Sequence, residues 1–427
     1  MLRLILLGAW LGLLSAPDGL QAQQIPPEPP RLLDDIRFLS DDRLLGRMTG
    51  SPGADSAAAY LARRFSQVGL QPAAGGWFQS FTVGRNAPAA RQTETGAQVG
   101  RNVIGILPGH DPVLRNQTVV VGAHYDHLGH GGFGSLDPDS TGLVHNGADD
   151  NASGAAALIQ VAARLAAAPP ARTVVFIAFS GEELGLLGSA HYVKQPIYPL
   201  SATLAMVNLD MVGRLRNGRL IVYGARSAKE FPALLDSLNW YAGFDLKAQG
   251  DGYGPSDHSS FYAAKRPVLH LFTDLHEDYH RTTDDWQKVN YDGLKRVADF
   301  SLGLVTALAN RTSPLTFLDL PAPAPTQTTA AGPSGTPGYG AYLGTVPDMT
   351  GAPGGVRLVG VRAGSPAEKA GLRGDDIITR IGSTETPDLQ AMTDALRSHK
   401  PGESVEILVR RGASVTTLRA TLGARGG

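Results

Sequence analysis

Six residues of this 427-residue chain are of types that bind divalent metal ions and move protons: His124, Asp150, Glu182, Glu183, Asp210 and His280. His124 closes TVVVGAH, and an acidic pair stands in GADDNASG with Asp150 its second member. Glu182 and Glu183 follow TVVFIAFSG, Asp210 ends LAMVNLD, and His280 lies in HEDYHRTTDD just after PVLHLF. Two divalent ions about 3.5–4 Å apart need ligands that offset their charge and one carboxylate able to bridge them. Three carboxylates and two neutral imidazoles meet that need. They suit zinc, which accepts N and O ligands and keeps a position open for water. The Glu-Glu pair invites a division of labour, because adjacent residues cannot easily ligate one ion with the same geometry. One binds metal, and the other, held near the bridging water, accepts its proton. The chain has no cysteine, which excludes a thiolate metal site and disulfides. The chemistry expected is metal-assisted hydrolysis.

Such residues act together only if the fold delivers them to one place. Thr118 to Ala123, Thr173 to Phe179, Leu204 to Leu209 and Pro267 to Phe272 are short and almost continuously apolar. Runs of this kind suit strands covered on both faces. Helical spacing marks Arg31 to Leu39, Ser51 to Val68, Ala155 to Ala168, Ala228 to Ala242 and Tyr291 to Ala309. The alternation predicts an α/β sandwich with a mixed, mostly parallel central sheet between helices. The six residues then gather beyond the carboxyl ends of the strands, where such sheets place their sites.

The motifs AHYDH, GADDNASG, SGEELGLLGS, NLDM and YHRTTDD resemble those of the co-catalytic zinc aminopeptidases, whose relatives include glutamate carboxypeptidases, glutaminyl cyclases and the transferrin receptor ectodomain. The resemblance covers roughly Asn102 to Asn310, with all five ligand positions filled in order. It implies that His124 and Asp210 hold one zinc, that Glu183 and His280 hold the other, and that Glu182 is the general base. It places the bridge on the Asp before Asn-Ala-Ser-Gly, which selects Asp150 over Asp149. It also implies supporting roles for Asp126, two residues after His124 and able to orient its imidazole, and for Tyr279, which matches an oxyanion hydrogen-bond donor in some members. The Ser256-Asp257-His258 stretch resembles a loop beside the substrate cleft. His127, His130 and His145 flank a Gly-rich loop and read as loop residues rather than ligands.

The specific activity implied is removal of N-terminal residues from peptides with a free amino terminus. Two zinc ions explain hydrolysis better than they explain which peptide end is cut, so carboxypeptidase or dipeptidase specificity stays open. A glutaminyl cyclase would use one zinc, and a non-catalytic ectodomain would be expected to have lost ligands. No Gly-x-Ser-x-Gly or Gly-Asn-Ser-Gly-Gly element supports a serine protease.

Lys plus Arg (38) nearly balances Asp plus Glu (39), giving no basic footprint for nucleic acid or an anionic membrane. Residues 1–22 read as a signal peptide, with Arg3, an apolar Leu4 to Leu14 and a cleavable stretch around Ala22. The apolar run falls short of the roughly 20 residues that span a bilayer, although an uncleaved anchor is the alternative. The chain is therefore expected to be exported, to the periplasm or beyond the cell.

A peptidase domain is expected over 23–312 and a Pro/Ala/Gly/Thr-rich linker over 313–337. Residues 338–427 resemble a small, β-rich PDZ domain of the bacterial protease-associated kind. The resemblance rests on GSPAEKAGLRGDDII, with strands at Ala341 to Val346, Val356 to Val361 and Ser404 to Arg410 and a helix from Asp388 to His399. It implies capture of a peptide or protein C-terminus near Tyr342, Leu343 and Gly344.

Overall fold

A computed structural model describes residues 31–83, 98–131, 134–137, 142–250, 252–320, 341–347, 354–361, 364–387, 389–412 and 414–423. The expected signal peptide and residues 321–337 of the expected linker lie outside them.

The first domain is built on strands β1 (Gln71–Pro72), β2 (Phe78–Val83), β3 (Gln98–Leu107), β4 (Thr118–His124), β5 (Thr173–Phe179), β6 (Thr203–Leu209), β7 (Arg219–Tyr223), β8 (Asp245–Ala248) and β9 (Val268–Phe272). They form one sheet of order β1-β3-β5-β4-β6-β9-β7-β8, with β2 paired to β3. Its centre, β5-β4-β6-β9, is parallel throughout. β3 and β7 flank that centre antiparallel.

The helices of this domain are α1 (Leu32–Leu39), α2 (Pro52–Gln67), α3 (Gly154–Ala166), α4 (Leu187–Lys194), α5 (Phe231–Ala242), α6 (His258–Ala263) and α7 (Tyr291–Asn310). Strand alternation explains the layering. Val119, Val121 and Ala123 of β4 pack with Val174, Phe176 and Ala178 of β5 and the apolar faces of α1, α2, α3, α5 and α7. The intervening Val120, Val175 and Ile177 face the opposite way, onto Tyr192 of α4 and Phe261 and Tyr262 of α6. Both faces are covered, which is why every residue of β4 and β5 is buried.

Local chemistry sets the helix starts. Ser51 caps α2 by accepting from Ala54 N at 3.2 Å, with Pro52 at the first helical position. Asn290 caps α7 through Gly293 N at 2.9 Å.

Residues 314–320, expected within the linker, belong with this domain. Lys229 N donates to Thr316 O at 3.0 Å and Leu318 N to Ser227 O at 2.8 Å. Tyr262 Oη donates to Leu318 O and accepts from Leu320 N, both at 2.9 Å. Polar and Pro-rich composition hid these main-chain bonds from a composition argument.

The second domain has β10 (Thr345–Pro347), β11 (Val356–Val361), α8 (Pro366–Lys369), β12 (Ile377–Ile381), β13 (Thr384–Glu385), α9 (Leu389–Ser398), β14 (Ser404–Arg411) and β15 (Ser414–Thr421). The order is β10-β11-β12-β14-β15, with β13 on β12, so β10 is an edge strand. Its own core includes Leu343, Leu358, Ile378, Met392 and Ile407. The first strand begins later than the expected Ala341, because Gly344 takes φ +84° and interrupts extension.

Candidate metal centre

Four adjacent parallel strands release the predicted residues at one sheet edge. His124 is the last residue of β4, Asp210 directly follows β6, Glu182 and Glu183 lie three and four residues past β5, and His280 is in the loop after β9. Asp150 comes from the irregular segment before α3. Asp150 is 3% exposed and its two oxygens face different imidazoles. Oδ1 lies 3.3 Å from His124 Nε2, and Oδ2 lies 3.2 Å from His280 Nε2. Asp210 Oδ1 is 3.2 Å from His124 Nε2, and Glu183 Oε2 is 3.3 Å from His280 Nε2. Asp149 turns away, its Oδ1 accepting from Gly213 N at 2.6 Å and from Ser153 Oγ at 3.0 Å.

Two sets of ligand atoms, each within 4.8 Å of one another, have the compactness of a metal site. They are His124, Glu182 and Asp210, and His127, Asp150 and Glu183. The hydrogen bonds fit metal ligation. His280 Nδ1 sits 2.8 Å from Gly134 O, and His124 Nδ1 sits 3.2 Å from the main-chain O of Asp126. Each carbonyl requires a proton on Nδ1, so each ring in its neutral form would present the Nε2 lone pair to two carboxylates. Lone pairs facing anionic oxygens repel unless a cation stands between them. Donors made only of carboxylate oxygen and imidazole nitrogen match zinc. The residues fit the metal pair.

Electrostatics agree. Burial alone would depress His124, but Asp210 and Glu182 outweigh it and hold this imidazole well above its ordinary value. Burial likewise opposes the shift at His280, where Glu183 and Asp150 prevail in the upward direction. A divalent ion would offset the same negative charge. Burial pushes the Glu182 carboxyl well above the usual range, and Glu183, Asp210 and Asp257 add to the rise against His124.

The supporting residues fall unevenly. Asp126 is buried, and its carboxylate is farther from His124 Nδ1 (3.8 Å) than its own carbonyl is. That carboxylate instead accepts from Glu182 N at 3.2 Å and Thr49 Oγ1 at 2.9 Å. Tyr279 stacks on His280 with ring centroids 3.8 Å apart. Ser256, Asp257 and His258 are all buried, and Ser256 Oγ accepts from Asn208 Nδ2 at 2.8 Å.

His127, expected as a loop residue, is fully buried with Nδ1 2.8 Å from Glu183 Oε1. The available signal was its place in AHYDH, three residues after a predicted ligand. His145 is also buried but is engaged by Ser135 Oγ at 2.8 Å, and His130 is exposed. Arg47 carried no signal at all. It is 1% exposed and donates to the carbonyls of Tyr125 (2.7 Å), Asn146 (2.6 Å), Gly147 (3.0 Å) and Leu39, tying the β4 loop to the Asp150 segment. Gly46 lets that turn close, since a Cβ there would lie 2.4 Å from Gly129 O.

Known proteins share this organisation. Residues 102–305 match the sequence model of Peptidase family M28, and residues 341–422 match that of the PDZ domain. The chain is 30% identical over 281 residues to Leupeptin-inactivating enzyme 1 of Streptomyces exfoliatus, covering 64% of this chain and 56% of that protein. It is 30% identical over 220 residues to Aminopeptidase YwaD of Bacillus subtilis, covering 49% of this chain and 44% of that protein. The chain thus spans about half the length of the curated relatives it matches. Among solved structures, a Zn-dependent exopeptidase from Parabacteroides distasonis superposes with a TM-score of 0.55 at 20% identity, covering 66% of this chain and 99% of that one. The zinc aminopeptidase BSAP from Bacillus subtilis gives 0.51 at 18% identity, covering 67% and 97%. These likenesses show the fold. The chain carries a peptidase family M28 domain of the zinc aminopeptidase fold, followed by a C-terminal PDZ domain.

Proposed function

We propose that this protein is an exported metallo-aminopeptidase that removes N-terminal residues from peptides. The observation that carries the reading is the Asp150 carboxylate spanning His124 and His280, with the half-buried Glu182 beside His124. In this reading His124 and Asp210 would hold one zinc, Glu183 and His280 would hold the other, and Asp150 would serve both. His280 is preferred to His127 as ligand because its Nδ1 is already engaged by Gly134 and its Nε2 faces both Asp150 and Glu183. When bound, the two ions lower the pKa of water and polarise the scissile carbonyl.

Glu182 takes the proton of the attacking water and delivers it to the leaving amine. Its carboxylate stands in one compact group with His124 and Asp210, within reach of a water held at that position. Asp126 holds the Glu182 main chain through its N–H, and Tyr279 donates to the developing oxyanion, a role supported by its stacking on His280. Two ligand sets rather than one disfavour a single-zinc cyclase. Expected domain limits are 1–22, 23–312, 313–337 and 338–427, with residues 314–320 now attached to the peptidase domain. The leader-like residues 1–22 support export. Among the described residues no helix is long and apolar enough to cross a membrane.

The PDZ domain binds the C-terminus of a peptide or protein by strand addition at the edge strand β10, with Tyr342, Leu343 and Gly344 around the carboxylate. A panel of peptides with free and blocked amino termini, assayed with and without chelator, tests the enzymatic reading. Activity confined to free amines and abolished by chelator is expected. Equal cleavage of blocked peptides would reject the aminopeptidase assignment.

A further inference from the structure

Behind Asp150 lies a buried layer of charge that the reaction above does not use. Asp284 is fully buried, and its Oδ2 accepts the main-chain N–H of both Asp149 (2.8 Å) and Asp150 (3.0 Å). Its main-chain carbonyl accepts from Ala148 N at 2.9 Å. Its Oδ1 accepts from Arg214 Nη2 at 3.0 Å, and the same nitrogen reaches Asp278 Oδ2 at 3.0 Å. Asp278 also pairs with Lys288, so the cation between the two carboxylates is balanced rather than isolated.

The connectivity gives this cluster a purpose. Asp284 stands four residues after His280, and Arg214 four residues after Asp210. Their ion pair therefore joins three segments that carry predicted ligands: 148–150, 210–214 and 280–284. Fixing two consecutive N–H groups on one oxygen orients the peptide planes from which the Asp150 side chain departs. Asp149 is held by other partners on the far side.

We propose that Asp284, clamped by Arg214, is a positioning residue that sets the orientation of Asp150 between the two metal ions. A neutral acceptor at 284 could still meet the N–H groups but would lose the attraction to the guanidinium. Arg214, with 12% of its side chain exposed, would then keep only Asp278 as a charged partner, and the clamp loosens. The proposal rests on the metal-centre reading, so its test reads metal binding rather than turnover.

Metal-free full-length protein would be titrated with Co2+, following heat and the visible d–d absorption. Wild type is expected to take up two ions. Asp284→Asn and Arg214→Gln are expected to bind the second ion about 10–100-fold more weakly, the usual effect of losing a partner that orients ligands, with altered absorption bands. Arg214→Lys is expected to recover part of the affinity, which a merely structural role would not single out. Far-UV circular dichroism of the metal-free variants checks folding. If Asp284→Asn does not fold, Arg214→Gln carries the test, since Arg214 keeps 12% of its side chain exposed. Folded variants with wild-type affinity and bands would overturn the proposal alone. A wild-type chain that takes up no second ion would overturn the metal-centre reading and this proposal with it.

Discussion

His127 holds Glu183 by a 2.8 Å contact between Nδ1 and Oε1, with both side chains almost wholly buried. The other oxygen of Glu183 faces His280, so His127 constrains how that carboxylate presents itself. His127→Asn keeps a donor near the position of Nδ1, whereas His127→Leu does not. The leucine variant is expected to lose about 10–100-fold in affinity for the ion at Glu183, and the asparagine variant much less. Competition with a chromophoric chelator measures both. Equal losses would show that the ring's bulk, not its proton, is what matters.

Glu182→Gln keeps the shape and removes the base. A fall in kcat of about 10^2–10^4 is expected, with two metal ions still present by elemental analysis. Turnover near the wild-type level would move the base elsewhere.

Burial pulls His270 down to about 4 from 6.5, with Asp210 opposing and His124 assisting. The native state keeps this ring neutral where the unfolded chain has already protonated it. Stability is therefore whole above pH 6.5 and lost as the pH falls through about 4. His270→Gln, which cannot titrate, is expected to flatten this fall. Denaturant midpoints of the metal-free protein, taken between these pH values, give the slope, and an unchanged slope would contradict the prediction.

Arg47→Lys exchanges a planar fork for a single ammonium. Three donors on one nitrogen cannot serve the four carbonyls of Leu39, Tyr125, Asn146 and Gly147, which are arranged around three separate guanidinium nitrogens. Each stranded carbonyl costs about 1–3 kcal/mol, so a loss above roughly 2 kcal/mol in urea unfolding is expected.

Gly344→Val places a branched Cβ at φ +84°, where even a bare Cβ would lie 2.3 Å from Ser365 Cβ. Binding of a fluorescent peptide with a free C-terminal carboxylate is expected to weaken more than tenfold, with the proposed hydrolysis of short substrates unaffected.

The parallel core was legible because each buried strand is a run rich in β-branched and small residues, and several expected ligands stand at or just beyond the strand ends. β4 and β5 lie within one residue of their predicted limits. Less visible were β2, whose residues alternate between exposed and buried, and the short β8, which is largely exposed. Among the expected site residues, the motif context singled out His124, Asp150 and His280, which the fold brings together. The burial of His127 was not, because a Gly-rich loop gives no periodicity from which to infer an inward face. Asp126 lies just beyond the end of β4, and its carbonyl rather than its carboxylate is the group nearer to His124. Side-chain type alone cannot reveal such a main-chain partner.

The parallel order β5-β4-β6-β9 has a consequence for how this scaffold can diversify. Neighbouring strands lie about 4.8 Å apart, a spacing commensurate with a metal pair, and hydrogen bonding within the sheet fixes it. Segments that carry neither an expected ligand nor a residue of the Asp284–Arg214 pair can therefore be rewritten without moving the strand ends. Chemistry is inherited from the sheet, and substrate preference is left to segments that can drift.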